Sequence, residues 1–409
     1  MRWPSAATPT TPAAAPLPCC RPAAPDARVT PDRRLFLDAN ASAPVLEVAR
    51  AALLDALDLT AGANPSSPHA RGRAARRVLD VAREQVAVAL AASPKDVFFT
   101  SGATEGNRLA VELLVGQARR GRPLVVAASP LEHPSLARPL AAAAAAGLLD
   151  LRALPVADDD IATEGDAVDA ALADVDVVVC TAAHNETGLV PRLEALARRL
   201  ADHVVFVVDA AQSLARLGPP PARADVVVAS AHKVGGVAGA GAVVLRQRAR
   251  SLPLPWTGGG QENGLRPGTE AAALHAAFGA ACAVIDETRR AHAALAPRRD
   301  RLADAVVGPS RGRLLAAGAA RLPNTTAVLV PGVDADALRM LLDGAGVDVG
   351  FGAACSALSP EPSPGLIALG LADEDTRRVV RLSLAPGMSD EDVDEAARRI
   401  ADVVHRLQR

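Results

Sequence analysis

Two residues in this chain are set where they could form covalent bonds. Lys233 closes the run Ser230-Ala231-His232-Lys233 and is followed by "VGGVAGAG". A lysine at the end of an apolar strand, backed by small residues that let another molecule approach, is a candidate to form a Schiff base with a carbonyl. By itself the tetrapeptide suits a solvated surface lysine better, since lysines are rarely buried without a partner. Cys355 is the lone thiol of "DVGFGAACSALSPEPSPG", a stretch of small residues and prolines that presents no broad apolar face. As a thiolate it would be a nucleophile, with an unperturbed pKa of about 8.5. As a thiol it would be a small hydrophobe.

Other polar residues follow apolar runs in a regular way. "VFFT" leads into Ser101-Gly102-Ala103-Thr104 and then a helical pattern, so backbone N–H groups there could hold an anion, with the Thr104 hydroxyl beside them. Such a turn is also an ordinary helix start. "PLVVAASP" is followed by Glu132-His133, "VDVVVCTAA" by His184-Asn185-Glu186, and "HVVFVVDAAQ" carries Asp209 and Gln212. An aspartate ending so apolar a run is costly to bury unpaired. It either caps the next helix or neutralises a cationic ring nitrogen. Together these positions offer an anion cradle, a ring-stacking group, a carboxylate for a pyridinium nitrogen, hydrogen bonds for a ring oxygen and an amine. Those are the parts a pyridoxal phosphate site requires.

The elements that must position these residues alternate. "RLFLDAN" reads as a short strand, "LEVARAALLDAL" as an amphipathic helix, and "ARGRAARRVLDVAREQVAVALAA" as a longer one. From "DVFFTSG" to "AGAGAVVLR", continuous Val-rich runs alternate with helical patterns, which predicts strands buried on both faces. The fold class is therefore α/β with a mainly parallel sheet. After about residue 290 the text changes to a smaller α+β unit, with "PNTTAVLVPG" and "VVRLSLAPG" as strands, "ADALRMLLDGAG" as a helix, and a last helix opened by the capping signal "SDED".

Composition narrows the function classes. The 409 residues are enough for two domains. Half are apolar, yet only 6 are Phe, 2 Trp and none Tyr, so the cores must be aliphatic. A net charge of −2 gives no electrostatic case for nucleic acid or an anionic membrane, and no apolar run is long enough to span a bilayer. The 5 cysteines, Cys19, Cys20, Cys180, Cys282 and Cys355, show no disulfide or zinc spacing, which suits a reducing, cytoplasmic setting. Residues 1–33, rich in Ala, Pro and Thr, lack the apolar core of a signal peptide and read as a disordered extension.

With these residues in view, the chain closely resembles fold-type I, class V aminotransferase-like enzymes, and among them the cysteine desulfurases. The resemblance is carried, in family order, by "LDANASAP", "VFFTSGATEGNRLA", "EHPS", "HNETGLVP", "VDAAQS", "SAHKVGGVAGAGAVVLR", "GGGQENGLRPGTE", "PNTT", "GAACS" and "VVRLSLAPG". It implies a large domain, 47–289, with a mainly parallel seven-stranded sheet, and a smaller α+β domain from 34–46 and 290–409 that carries the cysteine loop. It implies that Lys233 bonds to pyridoxal phosphate, that His133 stacks on the ring and assists proton transfer, and that Asp209 pairs with the pyridinium nitrogen. Asn185 and Gln212 would lie near the ring oxygen and substrate, while Ala103, Thr104, Ser230 and His232 would hold the phosphate. Thr269 would reach the phosphate of a neighbouring subunit, which implies a homodimer. Arg381 would clamp the substrate carboxylate, a role suited to a planar bidentate cation. Cys355 falls on the catalytic cysteine.

The implied reaction takes sulfur from L-cysteine, leaves alanine, and loads Cys355 with a persulfide for an acceptor protein such as an iron–sulfur scaffold or sulfur carrier. The compact cysteine loop resembles the subgroup serving housekeeping and nitrogen-fixation-type assembly. The other readings are a selenocysteine lyase or small-amino-acid aminotransferase in which Cys355 is incidental, a degenerate non-enzymatic member, and a thiol redox sensor. Three departures stand out: His184 where the family commonly has Asn, Gly350–Ala354 in place of serine-rich text, and Ser363-Pro364-Gly365 where a histidine is common. Cys180 and Cys282, in apolar surroundings, are expected to serve packing.

Overall fold

Valine-rich runs with no polar alternation can only be strands covered on both sides, and the computed structural model bears this out. It describes residues 34–157, 159–352 and 361–409. The N-terminal extension with Cys19 and Cys20, and Cys355 itself, lie outside the described residues. The strands, in chain order, are β1 (Leu35–Leu37), β2 (Val97–Thr100), β3 (Leu124–Ala128), β4 (Leu149–Ala153), the short hairpin β5 (Val156–Ala157) and β6 (Asp160–Ile161), β7 (Val177–Thr181), β8 (Val205–Asp209), β9 (Val226–Ser230), β10 (Gly241–Leu245), β11 (Arg313–Leu314), β12 (Thr325–Leu329), β13 (Val347–Phe351) and β14 (Val379–Ser383).

A seven-stranded sheet runs β2-β10-β9-β8-β7-β3-β4. β10 is antiparallel to both its neighbours, and the other pairs are parallel. Alternate residues feed two separate cores. Val178, Cys180, Phe206 and Val208 face one, and Val177, Val179 and Val207 face the other. Cys180 is thus a core residue, as is Cys282 in the helix Ala272–Ala283, and burial pushes both thiols up, away from thiolate character.

A five-stranded sheet, β1-β13-β14-β12-β11, gathers the chain start with the C-terminal part. Its core of Leu35, Leu37, Val328, Val380, Leu382 and Ile400 is covered by the helices Ala296–Ser310 and Asp390–Leu407. The latter opens on the expected capping box, Ser389 with Asp392. β13 was not evident in the sequence. The first residues of the cysteine stretch are a strand with Phe351 in the core, and Gly350 and Phe351 pair with Arg381 and Val380. β4 was missed as well, because its Asp150 and Arg152 break the apolar run.

In the large sheet, the carboxyl ends of β2, β3, β7, β8 and β9 each lead into residues that line one cavity, the position expected for a ligand in an open α/β sheet. The reversed strand closes the β2 side of that cavity. Gly241 opens β10 opposite Thr100, and a Cβ there would meet Gly102 Cα at 2.6 Å and the Ala229 carbonyl at 2.8 Å. Backbone cannot yield as a flexible side chain can. Gly241→Ala is therefore expected to cost about 1–3 kcal/mol of stability in denaturant unfolding, as overpacking does, and to displace the Gly102 turn. An unchanged midpoint would show that the turn moves freely.

Candidate active site

The cavity has a volume of about 330 Å³ and takes in Ser101–Glu105, His133, Asn185, Asp209, Gln212, His232, Lys233 and Arg381. Helices α1 (Glu47–Thr60) and α2 (Ala70–Ala89) lie before β2 in the chain, and α3 (Ala103–Ala118) follows it. The first N–H groups of α3 have no acceptor within the helix and carry its positive end. With Thr104 beside them they line the cavity where an anion could be held. Glu105 folds back onto Ser101 N–H at 2.6 Å and pairs with Arg266 at 2.9 Å, so its carboxylate charge is neutralised next to the cradle.

Lys233 Nζ donates to the backbone carbonyls of Asn40 and Ala41, at 2.5 and 2.8 Å. Gln212 Nε2 donates to the same Asn40 carbonyl at 3.0 Å, leaving Gln212 Oε1 buried without a partner. His232 takes its place through Ser230, whose hydroxyl lies 2.8 Å from His232 Nδ1. Burial and the Lys233 charge lower His232 to about 4, so the ring is neutral at pH 7. Ser230 is buried and does not line the cavity; it sits behind His232.

Asp209, at the end of β8, accepts hydrogen bonds from Ala211 N–H at 2.9 Å and from Asn107 Nδ2 at 2.8 Å. The Asn107 amide also donates to Ser135 Oγ at 2.8 Å, and Ser135 meets His133 Nδ1 through its hydroxyl at 2.7 Å and its N–H at 3.1 Å. Sequence reasoning missed Asn107 and Ser135. The available signal was a polar residue on the apolar face of α3, spaced with Ala103, Ala110 and Leu114.

Arg381 reaches the cavity from β14. Its guanidinium is buried, donating to Asp38 at 2.6 Å and to the Asn185 carbonyl at 3.1 Å, with Nε unpartnered. Gly350 makes room for it, since a Cβ there would lie 2.4 Å from Arg381 Nη2. One departure from serine-rich text thus has a packing reason. Thr269 is exposed and does not line the cavity.

The other departures meet in space. His184 bonds Thr187 Oγ1 at 2.9 Å, and its Nε2 lies 2.8 Å from where a Cβ on Gly365 would be, so the ring occupies the room that the missing side chain leaves. Ser363 donates to Glu186 Oε1 at 2.9 Å. His184 Nε2 is 4.0 Å from the same oxygen. That approach is not an ion pair at neutral pH, because burial lowers His184 to about 3 and raises Glu186 to about 7.

The raised Glu186 sets a pH window. Its carboxyl costs nothing below the unfolded value of 4.5, and stability is lost as pH rises from there through about 7. The full penalty is roughly 3 kcal/mol. Glu186→Gln is expected to remove it, so the variant should gain on the natural protein by up to about 3 kcal/mol between pH 5 and pH 8 in denaturant titrations. Parallel pH profiles would count against a carboxyl buried in neutral form.

The residues fit pyridoxal phosphate. The cradle of α3 suits a phosphate, Asp209 a ring nitrogen, and the buried unpartnered Gln212 Oε1 a polar group not yet present. Donation by Gln212 to a ring oxygen would require its amide to release Asn40. Among the described residues no metal-binding cluster of His, Cys, Asp or Glu occurs, and no helix is long and apolar enough to cross a membrane.

Comparison with known proteins agrees with this geometry. The aminotransferase class-V family model matches residues 35–396. A cysteine desulfurase of Frankia sp. is 34% identical, covering 91% of this chain and 92% of its own length. Cysteine desulfurase IscS 1 of Archaeoglobus fulgidus is 31% identical over 84% of this chain and 90% of its own. A solved NifS-like protein superposes with a TM-score of 0.80 at 25% identity, covering 91% of this chain and all of its own. The chain belongs to the aminotransferase class-V family, among its pyridoxal-phosphate-dependent cysteine desulfurases.

Proposed function

We propose that Lys233, His133, Asp209 and Arg381 act together on L-cysteine in the strand-end cavity, and that Cys355 receives its sulfur. The observation that carries this reading is the convergence of five strand ends from one sheet with Arg381 from the other. Pyridoxal phosphate, when bound, supplies a carbonyl for amine condensation and an electron sink for the Cα carbanion. Ala103, Thr104, His232 and, through His232, Ser230 would hold its phosphate. Asp209 would face its ring nitrogen, His133 its ring, and Asn185 and Gln212 its ring oxygen and the substrate.

The chain's own groups divide the remaining work. Arg381 is fixed by Asp38 and Asn185, and its remaining N–H groups, the unpartnered Nε among them, would donate to the substrate carboxylate. Lys233 leaves the Asn40 and Ala41 carbonyls and takes the Cα proton. Cys355, as thiolate, attacks the substrate sulfur. The S–S bond forms as the Cβ–S bond breaks, the electron pair stays with the substrate carbon, and protonation there gives alanine. The persulfide is then passed to an acceptor protein, either an iron–sulfur scaffold or a sulfur carrier.

The working unit is a cytoplasmic homodimer on this reading. The exposure of Thr269 supports it, since that residue is available to a second copy of the chain. The same reading divides the chain into a 47–289 domain and a 34–46 plus 290–409 domain, supported by its two separate sheets.

Mass spectrometry of the loaded enzyme after incubation with cysteine is expected to find one added sulfur on Cys355. Cys355→Ala should release no sulfide yet keep the absorbance of the lysine-bound cofactor. Full sulfide release by that variant would sink the persulfide route and favour a lyase in which Cys355 is incidental. For Arg381→Lys, KM for cysteine is expected to rise about 10- to 100-fold, the loss of a charge-assisted hydrogen bond, with cofactor content unchanged. A KM within twofold of the natural enzyme would remove Arg381 from the substrate site.

A further inference from the structure

α4 (Pro134–Ala145) begins immediately after His133, and the imidazole is its N-cap: Nδ1 accepts the N–H of Ser135 at 3.1 Å. A backbone N–H can only donate, so Nδ1 must present a lone pair. A neutral imidazole with a lone pair on Nδ1 carries its proton on Nε2. The Ser135 hydroxyl acts in the same sense. Its oxygen accepts from Asn107 Nδ2 at 2.8 Å, which turns its own proton toward His133 Nδ1, 2.7 Å away. The Asn107 amide that orients this hydroxyl is also bonded to Asp209 Oδ2 at 2.8 Å.

We infer that Ser135 and Asn107 are positioning residues that lock His133 in its Nε2–H tautomer and tie that tautomer to Asp209. His133 therefore enters the reaction as a neutral hydrogen-bond donor through Nε2, with Nδ1 already engaged as an acceptor, and the base is Lys233. This rests on the reading above that His133 and Asp209 serve the reaction. The surroundings agree with a neutral ring: burial and the Lys233 charge lower the pKa of His133, while the Asp209 charge opposes them, and the positive end of α4 also disfavours an imidazolium. The capping bond and the amide network are separate observations, and both fix the same proton.

The inference is tested on the pyridoxal-phosphate-loaded enzyme with ¹⁵N-histidine, whose ring nitrogens report protonation directly. The His133 signals are assigned by their absence in His133→Gln. The natural protein should show Nδ1 unprotonated and Nε2 protonated at pH 7.5. A proton on Nδ1 would overturn the inference without reference to activity, and so without touching the assignment of the reaction. Ser135→Ala removes the hydroxyl and leaves the capping N–H, so the second tautomer should be populated only in part, with kcat lowered about fivefold, the worth of one hydrogen bond, and KM for cysteine within twofold. Ser135→Thr should restore both readouts. A ring left unchanged by Ser135→Ala, or a fall in kcat that threonine does not rescue, would show that the Ser135 hydroxyl and the Asn107 amide behind it take no part in fixing the His133 proton.

Discussion

The site depends on how one buried asparagine is satisfied. Asn40 follows β1 and is inaccessible to solvent, yet every polar atom it has is used. Its N–H reaches Ser383 of β14, its amide reaches Thr325 of β12 and the Asn185 carbonyl, and its Oδ1 accepts from Thr325 and Asn324. Its carbonyl then accepts from Gln212 and Lys233, which belong to the large sheet. A buried polar group left unpaired costs several kcal/mol in an apolar medium, so these bonds must form together or not at all. The two sheets are consequently registered to each other at the atom that Lys233 touches.

Arg216 strengthens the same seam by another route. Its guanidinium is fully buried and donates to the Gln212 and Ala39 carbonyls and to Asn324 Oδ1, at 2.9, 3.2 and 3.2 Å. Burial lowers it to about 10, so it remains charged at neutral pH. A cation held by neutral oxygens alone contributes little net stability. It does contribute direction, because a planar fork fits few arrangements of acceptors.

Much of this was legible because chemistry and fold share one sequence signal. Residues that end an apolar strand must be where a parallel sheet opens, so Asp209, His133, Asn185, His232 and Lys233 could be placed together before any coordinates existed. What stayed hidden depends on partners far away in the chain. Asn40 and Asp38 look like turn residues until Thr325, Ser383 and Arg381 are brought to them from 285 to 343 positions away. β13 was masked by Gly350, which lowers strand propensity and is there because the Arg381 guanidinium lies against it. His184 read as an unexplained departure, and only the space beside Gly365 accounts for it.

Charge at the site is sparse, and the network explains which groups carry it. Burial lowers the pKa of His133, His184 and His232 alike, and Lys233 or Arg381 adds to the effect, so no imidazolium competes with those two cations for an anionic ligand. On the acidic side, Glu132 and Asp209 are close enough that the Asp209 charge, added to burial, pushes Glu132 well up. Two neighbouring buried carboxyls cannot both ionise cheaply. Glu132 accepts only the Thr181 N–H, and its second oxygen is unpartnered, whereas Asp209 receives Asn107 and Ala211. The donors fix the Asp209 carboxylate in place, and it is Asp209 that lines the cavity. Asn107 is therefore the pivot of the polar chemistry: the same amide that binds the Asp209 carboxylate also orients the hydroxyl that fixes the proton of His133.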